Sequence, residues 1–243
     1  MDRLSKVVSA LIIGVSLVLC SWIVSRPAVE FVTSKKSITV TGSAKKEIRS
    51  DLIVWRASFS RRAQDLTKAY SLLKQDMAVV KEYLIQKGIN EKEIVYWPVT
   101  TETIFASDPK TGMITRDISG YVLRQSIEIR SNDVDKVTTI SRESTELIEK
   151  GIEFESYPPQ YYYTKLNELK IDMLAEAAKD AMNRAEKIAA STGARIGNLR
   201  SAKMGVFQIT PKNSTEVSDY GINDTSSLEK EITAVVNAEF ALR

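Results

Sequence analysis

Between residues 52 and 60 apolar and polar positions alternate, with Ile53, Trp55, Ala57 and Phe59 on one side, and this predicts a strand. A strand over residues 38–47 precedes it, and the two read as a pair. The period then changes. Leu66, Ala69, Tyr70, Leu73, Met77, Val80 and Leu84 recur every three or four residues, which predicts a helix with Asp65 near its N-cap and Gly88 at its end. A second pair covers residues 94–105 and 114–130, joined through the turn sequence Asp108-Pro109-Lys110-Thr111-Gly112, and reads as a hairpin. Tyr121, Leu123, Gln125, Ile127 and Ile129 form its buried side and the alternate positions a mostly wet one. A second helix starts near Asp133, turns Val134, Val137, Ile140, Leu147 and Ile148 inward and stops at Gly151. A third spans about residues 164–192, with Thr164 able to cap it and Gly193 ending it. The last strands are residues 199–209 and 232–242, separated by a polar loop over 210–231. Ile232, Ala234, Val236, Ala238, Phe240 and Leu242 form one face of the final strand.

Two segments need more than periodicity. Residues 152–163 are extended, but Pro158 and Pro159 cannot donate to a ladder, so this strand is interrupted or lies at a sheet edge. Its rings alternate, Tyr161 and Tyr163 to one side and Tyr162 to the other, which excludes a continuous three-ring platform. One side is expected on the core and the other at solvent or a neighbouring subunit. In the third helix Ile171, Leu174, Ala178, Ala181, Ala185 and Ile188 form a narrow heptad-like seam, expected to pack on a sheet, with self-association as the alternative.

The N-terminus belongs to another class of sequence. Residues 7–25 run without a charge between Arg3 and Lys6 on one side and Arg26 on the other; as a helix they would span roughly 28 Å. Val7, Leu11, Ile12, Leu17, Leu19, Trp22 and Ile23 would face lipid in a single-pass anchor, with the N-terminus cytoplasmic and the body exported. A cleaved signal peptide is the competing reading, although small-residue cleavage positions are poor. The fold class is therefore α+β: antiparallel sheets built from strand pairs, packed against three main helices and preceded by a transmembrane helix. Residues 1–27 are the anchor or signal, 28–37 a linker and 38–243 the body.

Charge and chemistry narrow the function. The net charge of +3 resides in the first 36 residues, and the remainder carries 29 basic against 29 acidic residues, so nothing marks a nucleic-acid partner. The chain has no histidine, and its one cysteine, Cys20, lies in the apolar segment. That removes Ser-His and Cys-His nucleophilic sites and the usual zinc ligands, and no glycine-rich phosphate loop occurs. Glu146, Glu149, Glu153 and Glu155 read as a solvated face. Asp219, Asn223 and Asp224 lack the spacing of a calcium loop, and Asp224 to Ser227 reads as local turn chemistry. No catalytic, cofactor or metal site is expected.

Several stretches together resemble the SIMPL-domain family, which includes the YggE-like periplasmic proteins of bacteria. They are Ile38-Thr-Val-Thr-Gly-Ser-Ala44, Ser50-Asp-Leu-Ile-Val-Trp55, the run from Gly151 through Tyr161-Tyr-Tyr-Thr-Lys-Leu166, Gly205-Val-Phe-Gln-Ile-Thr-Pro211, and Asp219-Tyr-Gly-Ile-Asn-Asp-Thr-Ser-Ser227. The resemblance implies an exported protein that assembles into large homo-oligomeric rings or channel-like shells, linked to envelope and oxidative-stress tolerance; it supplies no catalytic residues. The expected function is non-enzymatic self-assembly on the membrane. A soluble periplasmic ligand-binding or adaptor protein is the alternative, followed by a carboxylate-based enzyme. The expected partners are further copies of the chain and the lipid bilayer. Candidate contact residues are Tyr157, Tyr161, Tyr162, Tyr163, Asp219 and Tyr220, on the reasoning that edge strands and outward aromatics are natural docking surfaces.

Overall fold

A computed structural model describes residues 14–18, 20–21 and 36–243. Residues 14–18 and 20–21 are helical, and among the described residues no helix is long and apolar enough to cross a membrane. Of the anchor positions, Leu17 is described and exposed; Val7, Leu11, Ile12, Leu19, Trp22 and Ile23 lie outside the described residues. The body is α+β, rich in antiparallel pairing, and divides into two compact units. The first contains residues 36–45, Glu168–Phe207 and Thr233–Arg243; the second contains Lys46–Asn167 and Gln208–Ile232.

In the first unit, β11 (Glu229–Leu242) lies between β1 (Ser37–Arg49) and β8 (Ile196–Met204). β8 runs antiparallel to β11, from Val236 opposite Met204 to Leu242 opposite Ile196. Ala234, Val236, Ala238 and Phe240 are buried as their alternation requires. The long helix α3 (Leu166–Ser191) buries Leu169, Met173, Ala177, Ala181, Ala185 and Ala189. This corrects the predicted seam: Ile171, Ala178 and Ile188 are exposed. The reason is steric. A Cβ on Gly42 of β1 would lie 2.2 Å from the Ala177 carbonyl oxygen and 2.3 Å from the Ala181 nitrogen, so helix and strand backbones meet there and only small residues fit between them. The Ser43 amide also donates to Asp180 Oδ2 at 2.9 Å, tying the same turn of α3 to β1.

The second unit holds β2 (Leu52–Ala63) between β5 (Ile114–Ser131) and an edge made of β6 (Glu153–Ser156) and β7 (Gln160–Tyr162). Beyond β5 lie β3 (Ile94–Tyr96) and β4 (Thr100–Ser107). The predicted hairpin is present as β4 with β5. Its first strand is broken, however, because the Trp97 amide reaches Ser126 and Pro98 has no donor with which to continue. β1 and β2 do not pair as predicted: β1 joins β11, and β2 joins β5. Helices α1 (Leu66–Gln86) and α2 (Val134–Glu143) cover the face of Ile53, Trp55, Ala57 and Phe59. Asp65 caps α1 by accepting from the Lys68 amide, and Gly88 and Gly151 adopt positive φ where the chain leaves α1 and the turn after α2. Leu66 and Tyr70 of α1 are exposed, and so is Ile148, because α2 ends at Glu143 and a 3-10 turn over Ser144–Ile148 rotates Ile148 outward while Leu147 stays buried.

The proline interruption falls where expected. From Ser156 to Gln160 the edge advances four residues while β2 advances three, Ala57 to Val54, so one residue is extruded around Pro158 and Pro159. The loop over 210–231 is not wholly irregular: β10 (Ile222–Asn223) pairs in parallel with β9 (Gln208–Pro211).

Candidate functional site

Lys230 sits in the first residues of β11, which up to Ile232 belong to the second unit, with 3% of its surface exposed. A buried ammonium must be surrounded by acceptors. Here the acceptors are main-chain carbonyls: Nζ donates to Tyr161 O at 2.6 Å and to Asp224 O at 2.5 Å. Burial pushes the ammonium below lysine's ordinary value of 10.5, and the Asp224 carboxylate opposes that shift.

Around this lysine several quoted stretches meet. The Tyr161 amide donates to Thr225 O, the Asp224 amide to Ile209 O, the Asp51 amide to Tyr162 O and the Ser50 amide to Leu228 O, all between 2.8 and 2.9 Å. Asp51 then accepts from both the amide and the hydroxyl of Thr164, at 2.7 and 2.8 Å. Thr164 is thus held by a carboxylate 113 residues away and does not turn its hydroxyl to cap α3 as predicted. Asp224 builds the expected local turn, Oδ1 accepting from the Ser226 amide and hydroxyl and Oδ2 from the Ser227 amide. Its carboxyl lies below the usual range: burial raises it, but the hydrogen bonds from Ser226 and Ser227 and the charge of Lys230 outweigh that. Among the described residues no group of three or more acidic or cysteine side chains is arranged to hold a metal ion.

Lys230 and Ile48 border two openings. One, of about 60 Å³, is lined by Tyr161, Tyr162, Tyr163 and Leu166 among others. The other, of about 200 Å³, is bounded by Glu47, Arg49, Lys212 and Glu229. Its charges are largely spent in pairs, Lys212 with Glu47 at 2.8 Å and Arg49 with Asp135 at 2.6 Å. A second polar cluster occupies the outer face of β2 and β6. Tyr157 and Arg124 both donate to Glu155 Oε2 at 2.9 Å, and the buried Ser58 hydroxyl lies 3.2 Å from the Tyr157 hydroxyl.

Residues 38–240 match the SIMPL family, described as a protein of unknown function (DUF541). The chain belongs to the SIMPL family. Among curated proteins no match to it was found. In this SIMPL chain the stretches quoted from 50–55, 151–166 and 219–227 are parts of one hydrogen-bonded junction, and Ile209 brings in the stretch ending at Pro211.

The candidate contact residues separate within it. Tyr161 is buried in the core of the second unit, its hydroxyl 3.1 Å from that of Thr138, and is not available as an outer contact. Tyr162 and Tyr163 are half-buried beside Lys230, and the Tyr162 hydroxyl donates to Gln160. Tyr157 is outward but engaged by Glu155, and Asp219 and Tyr220 are exposed, Tyr220 at 97%. Neither Lys230 nor Asp51 stands out in the sequence as a site residue. The signal for Lys230 was present, since the alternation Phe240, Ala238, Val236, Ala234, Ile232 extrapolates back by two to an inward Lys230.

Proposed function

We propose that this protein is a non-enzymatic, membrane-anchored component of the bacterial cell envelope that self-assembles into a large closed homo-oligomer, a ring, channel-like shell or cage. The observation that carries the reading is the distal half of the β4–β5 arm. There Phe105, Met113, Ile114 and Ile118 are 49, 72, 79 and 55% exposed, clustered at one end of a two-stranded projection. Burying side chains of this kind contributes about 1.5–3 kcal/mol each, and contiguous apolar surface on a folded protein marks a contact. Tyr220 and Val217 add exposed apolar surface in the loop over 210–231. The absence of histidine and the confinement of cysteine to the apolar N-terminal segment support a non-catalytic body, and assembly and the link to stress tolerance are carried over from the resemblance to YggE-like proteins alone.

The arm is tested by placing aspartate at Met113 and Ile114 in the full chain extracted in detergent. The expected result is a smaller particle by light scattering with an unchanged far-ultraviolet spectrum; an unchanged mass would remove the arm from the contact. The anchor is tested separately. The uncharged run over residues 7–25 with poor cleavage positions leads us to expect an intact mass that retains residues 1–26, with the body in the periplasm. A mature chain beginning near Ser21 or Ala28 would replace the anchored form with a soluble periplasmic one.

A further inference from the structure

We propose that the open edge of β4 pairs antiparallel with β4 of a second copy, with a two-fold axis at Thr103. The inference rests on the self-assembly reading above and names its contact. Three observations on β4 lead there.

The first is that the edge is open and regular. β4 has β5 on one side, and among the described residues no strand on the other. Where the β4–β5 register shifts, the extra residues belong to β5: Ile104 faces Gly120 and Phe105 faces Ile118, so β5 skips Ser119 while β4 advances by one. The Ile104 and Ala106 carbonyls accept from the Ser119 and Thr115 hydroxyls of β5 at 3.2 and 3.0 Å. Main-chain groups of successive residues point to opposite sides of a strand, so those of Thr103 and Phe105 face outward.

The second is that the edge is unguarded. Edge strands are commonly protected from recruitment by lysine, proline or bulges. β8 has such protection: centring a self-pair on Arg200 faces arginine with arginine, and sliding it to the space between Ser201 and Ala202 faces Arg200 with Lys203. β4 has one charge, Glu102, among Thr100, Thr101, Thr103, Ile104 and Phe105, which are all strand-favouring. Pro98 and Pro109 lie beyond its ends.

The third is that β4 is complementary to itself. With the axis at Thr103, Thr103 faces the Thr103 of the second copy, Glu102 faces Ile104, Thr101 faces Phe105 and Thr100 faces Ala106. No like charges are opposed, and the two Glu102 residues are offset by roughly 7 Å along the strand. Threonine pairs and aromatic with β-branched pairs are favourable across strands. Phe105, half exposed in the single chain, gains the second copy's Thr101 as a neighbour.

The test uses the full-length chain in detergent with two variants, T103K and T103E. Each alone sets like charges against each other on the axis; mixed in equal amounts they set lysine against glutamate. The expected result is that each variant gives a particle at most half the parent mass by light scattering and that the mixture regains the parent mass. Parent-sized particles from either variant alone, or no recovery on mixing, would overturn the contact. Independently, E102C combined with I104C in a C20S background sets cysteines opposite each other at a non-hydrogen-bonded pair of this register and should form a disulfide-linked dimer on mild oxidation, and its absence would count equally against the axis. The two readings fail differently: a monomeric parent protein removes self-assembly itself, whereas an oligomeric parent unaffected at Thr103 removes only this contact.

Discussion

Replacing Gly42 with alanine is expected to cost the first unit at least about 3 kcal/mol, the upper end of the range for overpacking a closed interface. The added carbon would meet the Ala177 carbonyl oxygen at 2.2 Å, the Ala181 nitrogen at 2.3 Å and the Ala181 Cα at 2.7 Å. None of these is the flexible end of a side chain. They are backbone atoms of α3, so relief requires the whole helix to withdraw from β1, and with it Met173, Ala177 and Ala181 lose their burial. The Ser43 to Asp180 hydrogen bond, one residue away, would be lost in the same movement. Urea unfolding followed at 222 nm would register the loss as an early transition of helical signal. A midpoint unchanged from the parent would show that β1 and α3 do not meet at this glycine.

Replacing Lys230 with methionine, close in volume but unable to donate, is expected to destabilise the second unit by about 2–4 kcal/mol. Hydrogen bonds to a charged donor contribute about 1.5–3 kcal/mol, and here two buried carbonyls lose theirs; removal of a buried charge offsets part of the loss. The variant should also change the pH profile. Burial holds Lys230 below its ordinary 10.5, with Asp224 opposing. Between the folded value and about 10.5 the unfolded chain therefore binds the extra proton, so this group's contribution makes stability rise with pH through that window and level off above it. Other lysines and the tyrosines titrate there too, so the quantity to measure is the difference between parent and K230M. If that difference is flat from neutral pH to 11, or if K230M is within 0.5 kcal/mol of the parent, the carbonyl clasp does not contribute as described.

What could be read from the sequence was local. Asp65 and Gly88 bracket α1 because a cap needs only a side chain and an amide three residues on, and a positive φ needs only glycine. The β4–β5 hairpin is likewise closed by a turn of a few residues, with Asp108 accepting from the Lys110 amide. Strand partnership was not legible in the same way. β1 and β2 are separated by two residues and read as a pair, yet β1 belongs with β11, so that Thr41 hydrogen-bonds Asn237 across 196 residues. The buried face of α3 is hidden from periodicity for a related reason. Two apolar stripes run along the helix, and periodicity ranks the one with more isoleucine and leucine first. The decision came from Gly42, distant in sequence, which admits alanine and excludes larger residues. Lysine ordinarily faces water, which masks Lys230, although strand parity places it inside.

The clasp at Lys230 bears on the order of folding events. Its ammonium joins Tyr161 to a strand 69 residues later, and Asp51 joins Thr164 across 113. Neither contact forms until long loops have closed, and loop closure of this kind is entropically late relative to hairpins and helices. Interactions absent from the folding transition state leave the folding rate nearly untouched and act almost wholly on the rate of unfolding. The junction of family stretches is in this sense a brake: it lengthens the lifetime of the folded second unit without hastening its formation.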